Sequence, residues 1–160
     1  MNCGNDSVSS EVANAEVSNQ KTVITAKAIE NFSYKDYVLS PDGEKAVEKW
    51  EKYQELGIQI NYLRKADLSF FNGDKALLKK FIAEFIADLP PDFDTKPIVS
   101  RTIVIKTTLL KLNENLTLDN IDGALKLESV KEVMIAFSNL NYQINKKIIG
   151  DKYEQIKSDF

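Results

Sequence analysis

The chain contains no histidine. That absence removes Ser-His-Asp and Cys-His nucleophiles, histidine general bases and histidine-ligated zinc or iron. A single cysteine, Cys3, excludes an intramolecular disulfide, a Cys-x-x-Cys redox pair and a thiolate zinc site. The six glycines are scattered, so no glycine-rich loop is there to cradle a phosphate. No stretch approaches the ~18 consecutive apolar residues of a membrane-spanning helix, and the first residues carry no apolar run of the secretory-leader kind. Basic excess is missing as well. The 21 Lys and Arg stand against 24 Asp and Glu, for a net charge of -3 and an isoelectric point near 5.1. Nothing is left over to neutralise a phosphate backbone, and no nucleic-acid partner is expected.

What is present is core material. The 160 residues make about one domain, and a chain of this length buries roughly 70% of the surface its unfolded form exposes. Apolar residues form 43% of it, with eight Phe, six Tyr and one Trp among them. Of the basic residues 19 are Lys and only Arg64 and Arg101 are Arg, alongside 13 Asn and 15 Ile. That skew toward residues with AT-rich codons points to a bacterial source.

Residues 1–21 contain Asn, Ser, Ala, Val and Glu almost to the exclusion of other types, with no aromatic residue, Leu or Ile in the first 20. Such a composition cannot build a core and is expected to be a disordered tether. Its one unusual residue is Cys3, followed by Gly4-Asn5-Asp6-Ser7. A cysteine ahead of a small, polar, slightly acidic linker resembles the start of a mature bacterial lipoprotein. The resemblance covers the first 20 residues. It lacks the apolar and small residues of a complete lipobox, because Met1 and Asn2 are all that precede the cysteine. It implies acylation of Cys3, a membrane partner reached through that lipid anchor, and a location at the cell envelope. Acyl chains at ~0.8 kcal/mol per buried methylene would make such an anchor stable. Asp6-Ser7-Val8 also resembles the Asp-Ser/Thr-apolar acceptor of some bacterial envelope O-glycosylation systems, which implies Ser7 as a modified residue. The Asn-x-Ser/Thr triplets at Asn5, Asn31 and Asn115 are expected to be coincidences of an Asn-rich chain.

Beyond the tether, residues 22–39 mix β-branched residues with Phe32, Tyr34 and Tyr37, and are compatible with a short helix or an extended strap. Ser40-Pro41-Asp42-Gly43-Glu44 is a helix start: Ser40 can cap, Pro41 suits the first helical position, and the carboxylates favour the N-terminal dipole. Val47, Trp50, Tyr53, Gly57, Ile60, Leu63 and Ala66 then recur at three- and four-residue spacing, predicting one long helix over about 41–69. Asn72-Gly73-Asp74 signals a turn and a cap, and the Leu77 to Leu89 stripe predicts an amphipathic helix over 74–89. Pro90-Pro91 cannot continue it. Residues 98–117 carry Ile103, Val104, Ile105, Thr107 and Thr108, which favour a strand by propensity. Ile98, Thr102, Ile105, Leu109, Leu112 and Leu116 nevertheless trace a helical stripe longer than most strands, and a helix is expected. A last helix is predicted over 124–158, with Leu127, Val130, Val133 or Met134, Phe137, Leu140, Ile144 and Ile148 facing inward and Gly150 as a point of fraying or bending. The expected fold is all-α: an antiparallel up-down bundle of about four helices, forming one domain over 22–160.

Few constellations could carry chemistry. Inward Glu-x-x-His pairs for a di-metal bundle do not exist without histidine. Asp88, Asp92 and Asp94 around the proline loop follow no calcium-loop pattern, and Asp119-Asn120-Ile121-Asp122-Gly123 lacks the first ligand and the terminal Glu of an EF-hand. No Ser-x-x-Lys occurs at Ser69, Ser100 or Ser129. No cofactor and no catalytic residue is expected. The first-half aromatics at helical spacing read mainly as core. The Phe70-Phe71 pair beside a turn is the best sequence candidate for an exposed contact patch with a protein or ligand partner. The leading expectation is a non-enzymatic envelope lipoprotein. The alternatives are a soluble cytoplasmic interaction or immunity-type protein, and a carrier of a small apolar ligand.

Overall fold

The computed structural model describes residues 23–160, and all regular structure among them is helical. Thr25 opens α1 (Ala26–Glu30) by accepting from the Ala28 amide at 3.1 Å, and Ile29 turns into the core. Residues 32–40 then run extended, so the region left open between helix and strap contains both. Ser40 caps α2 (Pro41–Ala46) through the Gly43 amide at 3.1 Å, with Pro41 in the first turn, as its sequence predicts.

The predicted helix over 41–69 is in fact two helices. α2 stops at Ala46, and α3 (Glu51–Arg64) begins after a turn. Nothing in Val47-Glu48-Lys49-Trp50 breaks a helix by propensity; packing imposes the break. α2 lies against α6 (Gly123–Ser158), whereas α3 lies against α4 (Lys75–Ala87). The bend lets each follow its own neighbour, and two side chains stabilise it. The Trp50 indole stacks on Phe85 at 4.9 Å and donates to the Phe85 carbonyl at 3.0 Å, while Gln54 Nε2 donates to the Val47 carbonyl at 3.0 Å. α3 also ends five residues earlier than expected. Ala66 adopts the left-handed conformation at φ 62°, with its amide bonded to the Leu63 carbonyl and the Asp67 amide to the Tyr62 carbonyl. This is a Schellman closure with alanine where glycine is usual.

Asp74 caps α4 through the Ala76 and Leu77 amides. A single 3₁₀ turn at Pro91–Phe93 carries the proline loop and buries Phe93. α5 (Lys96–Thr117) is a helix despite its β-branched run. Ile98, Thr102, Ile105, Leu109 and Leu112 all reach the core, with Leu116 packed beside them. The threonine hydroxyls bond back to carbonyls three or four residues earlier, as Thr102 does to Val99 at 2.8 Å, and so do not compete with the helix. Burial of a 3.6-period stripe outweighs strand propensity here. α6 continues unbroken through Gly150 to Ser158.

The long α5 lies along α6, α4 packs on α5, and α3 packs on α4. Tyr53 of α3 stacks on Phe137 of α6 at 5.4 Å, which brings the first of these helices back to the last. The core thus runs from Trp50, Leu56, Ile60 and Leu63 through Phe81 and Phe85 to Leu109, Leu112, Met134, Leu140 and Ile144. The all-helical class is as expected; four uninterrupted helices are not, because six α-helices occur among the described residues.

Candidate functional site: a laddered strap and its cleft

The extended residues 35–40 have no strand to pair with, yet their backbone groups must find partners. One stripe of α6 provides them. Ser138 Oγ donates to the Lys35 carbonyl at 2.7 Å and accepts from the Tyr37 amide at 2.7 Å. Asn141 Nδ2 donates to the Tyr37 carbonyl at 3.0 Å. Asn145 Nδ2 donates to the Val38 carbonyl at 2.8 Å, while its Oδ1 accepts from the Ser40 amide at 2.8 Å. The spacing of three and four residues puts these side chains on one helical face, so a helix serves the strap as a sheet edge would. Gly43 belongs to the same arrangement. A Cβ there would sit 2.9 Å from Asn145 Oδ1, so the absence of a side chain lets α2 approach the ladder.

Between the strap and α3 lies a cleft of about 460 Å³. Tyr53, Phe137 and Asn141 form its inner part, Ile58, Asn61 and Arg64 line it from α3, and Asp36, Val38 and Leu39 line it from the strap. Arg64 links the two walls: its guanidinium pairs with the Asp36 carboxylate at 2.9 Å and donates to the Tyr34 hydroxyl at 3.2 Å. Burial penalises the Arg64 charge, but these bonds more than offset that penalty and hold its pKa above the usual value. Behind it the Tyr53 hydroxyl donates to Asn141 Oδ1 at 2.5 Å. Burial, reinforced by the Glu44 carboxylate, raises the Tyr53 phenol well above its ordinary pKa and keeps the proton in that bond. The cleft therefore offers one cation, the carboxylates Asp36 and Glu44, the amide side chains Gln54 and Asn61, and an aromatic floor. Such a lining can recognise a ligand by complementary hydrogen bonds and apolar contact.

The residues singled out from sequence fall elsewhere. Phe71 is fully buried, and Phe70 is half-buried, edge-on to both Phe71 and Phe81 at 5.1 Å. The turn folds inward because Asn113 of α5 donates to the Phe71 and Gly73 carbonyls at 2.9 and 3.0 Å. At most the half-buried Phe70 ring is left for a partner, which corrects the expected exposed pair. Cys3, Ser7 and the tether lie outside the described residues. Among the described residues no three His, Cys, Asp or Glu side chains converge on a metal position, Asp88, Asp92 and Asp94 included. Sequence reasoning missed Ser138, Asn141 and Asn145. Their signal was small polar residues recurring at three- and four-residue spacing beside the apolar face of α6. No protein-family model, curated protein or solved structure matches the chain.

Proposed function

We propose that this protein is a non-enzymatic binding module on an up-down frame of α3, α4, α5 and α6, tethered to the cell envelope through an acylated Cys3. The observation that carries the binding role is the cleft. It is a preformed concavity whose walls are fixed from opposite sides by the Arg64–Asp36 pair and by the ladder on α6. Amide groups and both signs of charge beside an aromatic floor suit a short peptide segment, which brings backbone donors, acceptors and side chains together. The address rests on the lone cysteine and the tether that follows it.

Intact mass and detergent partitioning of the protein expressed from its native locus test the address. A chain beginning at Cys3 with added acyl mass supports it; an unmodified chain in the aqueous phase returns the protein to the soluble interaction-protein reading. A photo-cross-linking residue in place of Ile58, at the cleft, should capture a partner in cells. The same residue in place of the remote, exposed Leu125 should not. Equal capture at both positions removes the cleft from the account.

A second reading has one observation of its own. Between α4 and α5 a groove of about 240 Å³ has Ile82, Ala83, Ile86 and Leu110 along it, with Lys79 and Lys106 beside them. Its lining suits a small apolar ligand with an anionic end. Native mass spectrometry with a medium-chain fatty acid, expected to show one bound equivalent lost on Ala83→Trp, tests it; unchanged binding in that variant removes this groove.

A further inference from the structure

We infer that the exposed end of α6 is a docking seam for an acidic amphipathic helix of another protein. This inference stands apart from the cleft and from the Cys3 anchor. α6 is about 54 Å long and α5 about 33 Å, at 1.5 Å per residue for 36 and 22 residues. The longer helix outruns the shorter, and every residue from Ile149 onward is exposed. The apolar residues on that end are not scattered. Ile149, Tyr153 and Ile156 are 69%, 59% and 59% exposed, and Tyr142, also exposed, precedes Ile149 by seven residues. Steps of seven, four and three place all four on one narrow line along the helix. A line this narrow is the seam of a helix pair, whereas a helix lying on a lipid surface presents a broad apolar face.

Charge selects the occupant. Lys146 stands three residues before Ile149, and Lys157 four after Tyr153, with its ammonium 5.0 Å from the Tyr153 ring centre. Among the described residues neither has a carboxylate within 4.0 Å, whereas Lys147 and Lys152 are paired with Asp151 and Asp42. Asp151 and Glu154 fall off the seam, and only Asp159, beyond the last turn, comes beside it. A second copy would bring its own lysines against these and be repelled. A helix with carboxylates flanking an apolar stripe complements both features, because like charges across such a seam disfavour pairing and opposite ones set partner choice.

The test uses the full chain and a synthetic 28-residue helical peptide with Leu and Ile at its core heptad positions and Glu at the flanking ones, its Lys counterpart being the control. Fluorescence anisotropy should show the acidic peptide binding at least tenfold tighter than the basic one, weakening as salt is raised. Ile149→Asp with Tyr153→Asp should abolish that binding while leaving far-UV circular dichroism and Tm unchanged. Lys146→Glu with Lys157→Glu should reverse the preference between the two peptides. The inference is overturned by no binding of the acidic peptide, by equal binding of the two, or by binding that survives the Asp variants. It is equally overturned if the seam variants instead abolish a concentration-dependent dimer seen by sedimentation, or binding to phosphatidylglycerol vesicles.

Discussion

Two stretches of α6 meet their surroundings in opposite ways. In the middle, Ser138, Asn141 and Asn145 are polar where a helix packed against protein is ordinarily apolar, and each is bonded to the strap. At the end, Ile149, Tyr153 and Ile156 are apolar where a helix facing water is ordinarily polar, and the described residues do not cover them. The middle stretch teaches that what packs against a helix can be backbone, and that backbone demands polar side chains. The end stretch teaches that a regular apolar seam is retained where the fold itself has no use for it. One stretch belongs to the fold; the other faces outward.

Substitutions can separate the two, starting from the core that both depend on. Trp50→Ala removes the indole wedged at the α2–α3 bend and leaves the Phe85 carbonyl without its donor. It should cost about 3–5 kcal/mol, read as a lower midpoint in urea unfolding with the whole molecule affected. Asn141→Ala strips a partner from both the Tyr53 hydroxyl and the Tyr37 carbonyl. The loss should be about 2–3 kcal/mol for two buried groups left unbonded. Hydrogen exchange should show the strap amides of Tyr37 and Ser40 opening before those of α5. Ala66→Gly should act in the other direction. Relieving a left-handed alanine at the end of α3 is expected to stabilise by about 1 kcal/mol in the same urea measurement. At the far end of α6, Ile149→Asp with Tyr153→Asp should change stability by less than about 0.5 kcal/mol, because no packing is lost.

Smallest of all is an acid effect where α2 meets α6. The hydrogen bond from Lys152, and then its charge, lower the Asp42 pKa below its ordinary 3.8. A group depressed in the folded state contributes its stabilisation above the unfolded value and loses it as pH falls through the folded one. Amides of α2 should therefore loosen only as pH drops below about 3.8, and Lys152→Met should abolish that pH dependence.

The helical class, the caps at Ser40 and Asp74, and the inward faces of α5 and α6 were legible in the sequence because each is a local or periodic signal. Periodicity even decided 98–117 correctly against strand propensity, since the buried stripe outlasts any strand. The break at 47–50 was not legible: its cause is a tryptophan meeting a carbonyl 35 residues away. The early end of α3 was hidden for a different reason, an alanine taking a conformation that glycine usually marks. Phe70-Phe71 was misjudged as surface because Asn113, on a distant helix, draws that turn inward. The cleft was invisible for the same kind of reason, since the ladder joins residues more than a hundred positions apart, and a polar stripe on a helix ordinarily means water.

Native-state hydrogen exchange on the dilute wild-type chain tests the contrast between the two stretches most directly. The account predicts protected amides at Tyr37 and Ser40, protection along α6 through about Ile148, and a sharp fall from Ile149 onward. An unprotected strap would contradict the ladder. Protection continuing undiminished to Ser158 would contradict the open seam.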